Sequence, residues 1–128
     1  MPFVEIFVPA GTVHEDQRRL ISSRVTDETI LACGLPDNDA VRAMSWVVWH
    51  ELDHWFVGGA RTKEGEAPRY LVRVSVAEGV LTRETRADIV SRVVKSLADA
   101  DPDCFHARPS SWVQFVEVPP DEQCLYRG

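Results

Sequence analysis

The sequence lacks a long apolar run: nothing in its 128 residues approaches the ~20 consecutive apolar positions that a membrane helix needs. It also lacks a basic excess. Lys and Arg number 14 against 20 acidic residues, for a net charge of −6, and the cations are scattered, which argues against a nucleic-acid backbone as partner. The opening Met1-Pro2-Phe3-Val4-Glu5 has neither the basic flank nor the apolar stretch of a secretory signal, so a cytoplasmic protein is expected. Cysteine is scarce as well. Cys33, Cys104 and Cys124 are odd in number, far apart and without Cys-x-x-Cys spacing, which excludes a zinc ribbon or dithiol redox motif and leaves reduced, structural thiols.

What is present is 45% hydrophobic and 27% charged residues in a chain the size of one compact domain, so a soluble single domain spanning 1–128 is expected. That domain contains a repeat. Residues 2–59 match residues 68–128 in order, element by element, with an offset near 66, and 60–67 read as the linker between them. Pro2 to Val8 aligns with Pro68 to Val74, two runs rich in β-branched and aromatic residues that read as strands. Ile21-Ser22-Ser23-Arg24-Val25 answers Ile89-Val90-Ser91-Arg92-Val93, each inside a stretch of helix formers that follows a turn glycine, Gly11 or Gly79.

In the second helix Ile89, Val90, Val93, Val94, Leu97 and Ala98 form one apolar stripe of 3.6-residue period. Thr82 suits its N-cap, and Asp101-Pro102 ends it because proline cannot continue a helix. The first helix spans roughly Glu15 to Ala32. Each half closes with a second strand, Ser45 to Trp49 matching Ser111 to Phe115 and Glu51 matching Glu117. Two β-α-β units predict an α+β fold, a four-stranded mixed sheet with both helices on one face. The other face, carrying tryptophans, is left for assembly, which predicts a homo-oligomer.

His50-Glu51-Leu52-Asp53-His54 spells H-E-x-x-H, a zinc-protease string that works only on a helix, where both imidazoles share one face. Here it follows Trp46-Val47-Val48-Trp49, and its repeat counterpart ends in Pro119-Pro120, which no helix accommodates. A strand end is therefore expected, with no metal and no third ligand.

With these elements in place the chain resembles the tautomerase superfamily, whose members are built from this β-α-β unit. Met1 to Val8 followed by Gly11 is similar to the start of 4-oxalocrotonate tautomerase, and Trp55-Phe56-Val57-Gly58-Gly59 is similar to its glycine-containing hairpin. The fused, double-length layout is closest to cis-3-chloroacrylic acid dehalogenase, whose final strand is similar to Trp112 to Pro119. The resemblance implies a homotrimer of this fold, no cofactor, and a catalytic Pro2 acting as general base on a small carbonyl substrate once Met1 is removed. A terminal proline nitrogen is a secondary amine, and burial lowers the pKa of such a group from its ordinary value near ~8 toward neutrality.

The carboxylate-binding arginines of these families are missing. Thr12 and Trp46 stand where 4-oxalocrotonate tautomerase has arginines, and Ala77-Glu78-Gly79-Val80 stands where the dehalogenase has two more. The dehalogenase's helix histidine aligns with Thr29, its strand tyrosine with Gln114, and its water-activating glutamate falls near Leu125. Dehalogenase-like hydration or decarboxylation is thereby disfavoured, and a non-catalytic binding member is the remaining alternative. Trp112 and Gln114 match strand positions that line the pocket in macrophage migration inhibitory factor, where a neighbouring subunit supplies them. Arg73 and His50 complete the candidate substrate-binding set. Arg73 is also readable as a solvated or paired arginine, and His50 as a satisfied strand-end histidine. Glu51 and Glu117, being repeated, read as architectural groups pairing across subunits.

Overall fold

Strict alternation of β-branched residues with polar or aromatic ones makes Phe3–Pro9 a strand, β1, whose Val4, Ile6 and Val8 are buried while Phe3, Glu5 and Phe7 turn the other way. The computed structural model describes residues 2–63, 66–100 and 111–122. After β1 come helix α1 (Glu15–Ala32), a short helix α2 (Asp39–Ala43), strand β2 (Trp46–Leu52) and a hairpin of β3 (Phe56–Val57) and β4 (Ala60–Arg61). The second half supplies β5 (Tyr70–Ala77), α3 (Arg83–Ala100) and β6 (Ser111–Val118).

The main sheet has the order β2-β1-β5-β6. Each repeat contributes a parallel pair, β1 with β2 and β5 with β6, and the repeats join through antiparallel β1 and β5. The layout is the expected α+β one. Val4, Ile6, Val8, Val72, Val74 and Val76 of the central strands share one core with Ile21 and Val25 of α1 and Ile89, Val93 and Leu97 of α3, so both helices cover the same face. Thr82 caps α3, its Oγ1 accepting from Thr85 N at 3.1 Å. Helix α2 was not foreseen. It is one short turn whose entry is held by Asn38 Oδ1 accepting from Val41 N at 2.9 Å.

The strand register corrects the alignment of the repeats. Phe3 lies beside Trp46, and Leu71 lies beside Trp112, the counterpart of Trp46. The turn glycines Gly11 and Gly79, at φ +75° and +81°, give the same spacing. The counterpart of Pro2 is therefore Tyr70, two residues beyond Pro68. Side chains alternate with period two, so a two-residue slip keeps every inward position inward and the hydrophobic pattern cannot detect it. In the true register Glu5 faces Arg73, its own counterpart, and the axis relating the repeats passes between them.

Two further expectations change. Ala60 and Arg61, placed in the linker, form the second arm of the hairpin, with Gly58 and Gly59 at φ +60° and +82° in the left-handed conformation a tight hairpin turn requires. Glu51 and Glu117 pair within their own repeats: Arg18 of α1 donates to Glu51 at 2.5 Å, and Arg86 of α3 donates to Glu117 at 2.5 Å. Both carboxylates sit on the helix-covered side, within reach of the helix above, which removes the reason for a partner across subunits. The helices are tied to each other by the corresponding arginines, Arg24 to Asp99 at 2.9 Å and Arg92 to Glu28, although these two carboxylates are not counterparts.

Candidate active site

Pro2 is buried immediately before β1. At its end of the sheet the open face carries Phe3 and Trp46, rings edge to face at 6.4 Å, with the Trp46 indole N–H donating to Ala43 O at 3.0 Å. These two side chains form the apolar wall nearest in register to Pro2. The sequence marks Trp46 as a strand tryptophan standing where a relative has an arginine, whereas its place beside Phe3 is set by strand register.

Thr29 lies near the C-terminal end of α1, which returns toward the sheet end where β1 and β2 begin. It is 2% exposed, and its hydroxyl donates to Val25 O at 2.7 Å, the back-bond that a buried helix hydroxyl makes. Its counterpart is Leu97, also buried. Thr29 thus sits in the core layer, while His50, Arg73, Trp112 and Gln114 sit on the open face.

On that face the alternation of four strands brings a polar group together at the centre. His50 stacks on Phe7 at 4.3 Å, and its Nε2 lies 3.2 Å from Glu5 Oε1. The Glu5 carboxylate thereby turns toward β2. Arg73, opposite Glu5, instead lays its guanidinium over the Phe7 ring at 5.2 Å from the centroid, a cation–π contact, and among the described residues it makes no ion pair. His50 and Glu51 belong to strand β2 and point to opposite faces, so the H-E-x-x-H string has no helical geometry.

Trp112 and Gln114 are far from Pro2 within one chain. Phe3 is opposite Ser75, whereas Trp112 is opposite Leu71, four residues along β5, roughly 13 Å at ~3.3 Å per residue. They line a cavity of about 460 Å3 at the other end of the sheet, with Tyr70 and Arg69 from the start of β5 and Trp55 and Phe56 from the hairpin. Arg69 Nη1 donates to Glu66 at 3.1 Å. The Glu66 carboxyl is held below the usual range, first by the backbone N–H of Lys63 and then by Arg69. A second cavity, of about 440 Å3, is bordered by Gly11, Thr12, Asp53, Arg61 and Lys63. Arg69 and the docking of the hairpin were missed because both depend on how β5 and β6 start, which the slipped register had displaced.

Cys33 is partly buried and burial pushes its thiol up, which fits an inert thiol. Cys104, Cys124, Leu125 and the Asp101-Pro102 stop lie outside the described residues. No group of three His, Cys, Asp or Glu side chains able to hold a metal occurs among the described residues, and no helix among them is long and apolar enough to cross a membrane.

No family model and no curated protein matches the sequence. Solved structures do match. Pt0534 inactivated by 2-oxo-3-pentynoate is 20% identical, covering 98% of this chain and 93% of its own, with a TM-score of 0.78. N1, a member of the cis-3-chloroacrylic acid dehalogenase family, is 19% identical over 97% of this chain and 80% of its own, with a TM-score of 0.75. An asymmetric trimer of wild-type fused 4-OT is 17% identical over 96% and 91%, with a TM-score of 0.74. The chain therefore has the fused two-repeat fold of the tautomerase superfamily.

Proposed function

We propose that this chain is a cytoplasmic, tautomerase-type isomerase in which Pro2, exposed as a secondary amine by removal of Met1, is the general base for keto–enol tautomerisation of a small carbonyl compound. The observation that carries the reading is a buried Pro2 at the mouth of β1, in a chain whose whole length follows the fused tautomerase fold. Burial disfavours the ammonium form and brings the amine toward neutrality, where it accepts protons at pH 7. The amine takes the enol O–H proton as the C=O bond forms, and the resulting ammonium returns a proton to the carbon that gives up its share of the C=C bond. The chemistry asks for no cofactor.

Phe3 and Trp46 would desolvate the amine from within the chain. Trp112 and Gln114 reach a Pro2 only from another copy, which is the role a homotrimer gives them; the apolar open face, with Trp46 59% and Trp112 73% exposed, and the trimeric fused 4-OT support that assembly. In this reading Thr29 supports Pro2 from the core layer, while Arg73 and His50 polarise the face on which the substrate lies. Arginine-clamped acids are disfavoured by Thr12 and Trp46, which favours a neutral or weakly acidic substrate. A Pro2-dependent lyase, decarboxylating or hydrating, is the second reading, favoured by the likeness to a dehalogenase-family member.

Intact mass of untagged protein and turnover of phenylpyruvate enol test the proposal together. A mass short by one methionine, with conversion lost in Pro2→Ala by at least ~100-fold, the scale of a general base, is expected. Retained Met1, or turnover indifferent to the substitution, overturns it and leaves a binding or assembly function.

A further inference from the structure

Strand alternation leaves only three titratable or charged groups on the open face of the four-stranded sheet among the described residues: Glu5 from β1, His50 from β2 and Arg73 from β5. Strand β6 brings none, and α1, behind β2, directs Arg18 to Glu51 on the covered side. The three groups meet at the middle of the face. His50 Nε2 lies 3.2 Å from Glu5 Oε1, with side chains 37% and 20% exposed, and both the imidazole and the Arg73 guanidinium rest on the ring of Phe7. Around them the face is apolar, with Trp46, Leu52, Trp112 and Val116 exposed.

The charge of this cluster depends on one group. With His50 neutral, the Glu5 carboxylate balances the Arg73 guanidinium and the cluster has no net charge. With His50 protonated, two cations share one carboxylate, and each copy carries one uncompensated positive charge. Water solvates that charge while the face is open. Under a covering copy it is desolvated and brought near the same charge on the other copies, a cost that one carboxylate does not offset. Histidine is the side chain that ordinarily changes charge between about pH 5 and 8.

We infer that protonation of His50 opposes assembly of copies of this chain through the open face, so that the oligomer forms at neutral to alkaline pH and comes apart on mild acidification. The occupant of the face is a further copy, because the face is mostly apolar and, with His50 neutral, has no net charge to repel its own kind. The inference rests on the homotrimer proposed above and not on the chemistry assigned to Pro2. The assembled form binds fewer protons than the separated copies, so by linkage association strengthens as pH rises.

Sedimentation velocity of the full-length protein, in dilution series from pH 8 to pH 5.5 at constant ionic strength, reads the association constant. One proton excluded per copy changes it by up to about tenfold per copy for each pH unit, so a fall of about 100-fold or more is expected across this range. His50→Gln keeps an N–H for Glu5 and does not titrate, and it is expected to associate almost equally at both ends of the range. Arg73→Gln is expected to reverse the dependence. Without the guanidinium the cluster is negative while His50 is neutral and balanced once it is protonated, so association strengthens on acidification. A role in packing alone would shift association without changing its slope against pH. Wild-type association that is flat with pH overturns the inference, as does the wild-type slope persisting in His50→Gln or in Arg73→Gln. Should one variant fail to fold, the other decides. A protein that is monomeric at every pH overturns the trimer reading as well, whereas a trimer indifferent to pH overturns this inference alone.

Discussion

The Pro2 end and the Tyr70 end of the sheet are built from the same parts, a strand start, a tryptophan on the neighbouring strand, and a helix returning behind them. They differ in the one atom that matters for chemistry. Pro2 offers a nitrogen that becomes a free amine once Met1 is removed, while Tyr70 offers an amide within the chain. They differ also in polarity. Arg69 and Gln114 mark the Tyr70 end, whereas in the corrected register Met1 and Val48 hold the matching positions of the first repeat. Duplication preserved the frame and left each end to acquire its own chemistry, because the frame depends on inward residues and the chemistry on outward ones.

The comparison is broken most severely by attacking the shared frame. Ile21 and Ile89 are counterparts, both fully buried, and replacing either with alanine is expected to cost about 2–5 kcal/mol, as core truncations do. Comparable losses of urea stability would show that the repeats share one core equally; a variant losing less than ~1 kcal/mol would show one repeat dominating it.

A smaller effect separates ion pairs within a repeat from pairs between copies. Glu51→Ala and Glu117→Ala are each expected to lower stability by about 0.2–1 kcal/mol, the worth of a partly exposed pair, and to leave the assembly mass seen by light scattering unchanged. Dissociation of the oligomer by either substitution would restore the cross-subunit reading.

The smallest expected effect is on acid stability. Glu15 is held below its ordinary value of 4.5 by Arg18 and Arg19, Asp37 below 3.8 by Arg42, and Glu66 below 4.5 by the Lys63 N–H and Arg69. A carboxyl depressed in the folded state stabilises above its unfolded pKa and loses that contribution as pH falls through the folded value. Glu15 and Asp37 lie in repeat one and Glu66 in the segment that joins it to repeat two, so hydrogen exchange on acidifying below about pH 4 is expected to rise first in repeat one and that segment. Uniform opening of both repeats would show that these carboxyls do not set the acid limit.

Much of the fold was legible in the chain itself. The 3.6-residue stripe of α3, the bounds of α1, the paired strand runs and the Gly58-Gly59 turn each carry a local physical cause, and the mixed sheet follows from two β-α-β units. The H-E-x-x-H string was correctly placed on a strand because Pro119-Pro120 barred a helix at the matching position. Of the candidate site, Pro2 was legible through resemblance alone. The core position of Thr29 and the place of Arg69 at a cavity were not, since the first depends on how α1 packs and the second on strand register.

Along the central strands and α3 the sequence by itself determined which residues face inward, because side chains alternate with period two along a strand and recur every 3.6 residues along a helix; in α1 it did not, where Thr29 is buried and Leu31 exposed. It could not determine which inward residue of one repeat answers which of the other, since a shift of two leaves that pattern unchanged. Only backbone pairing across the sheet decided it, by seating Leu71 beside Trp112 and Glu5 opposite Arg73. That decision put a tyrosine in the second repeat where the first has its proline.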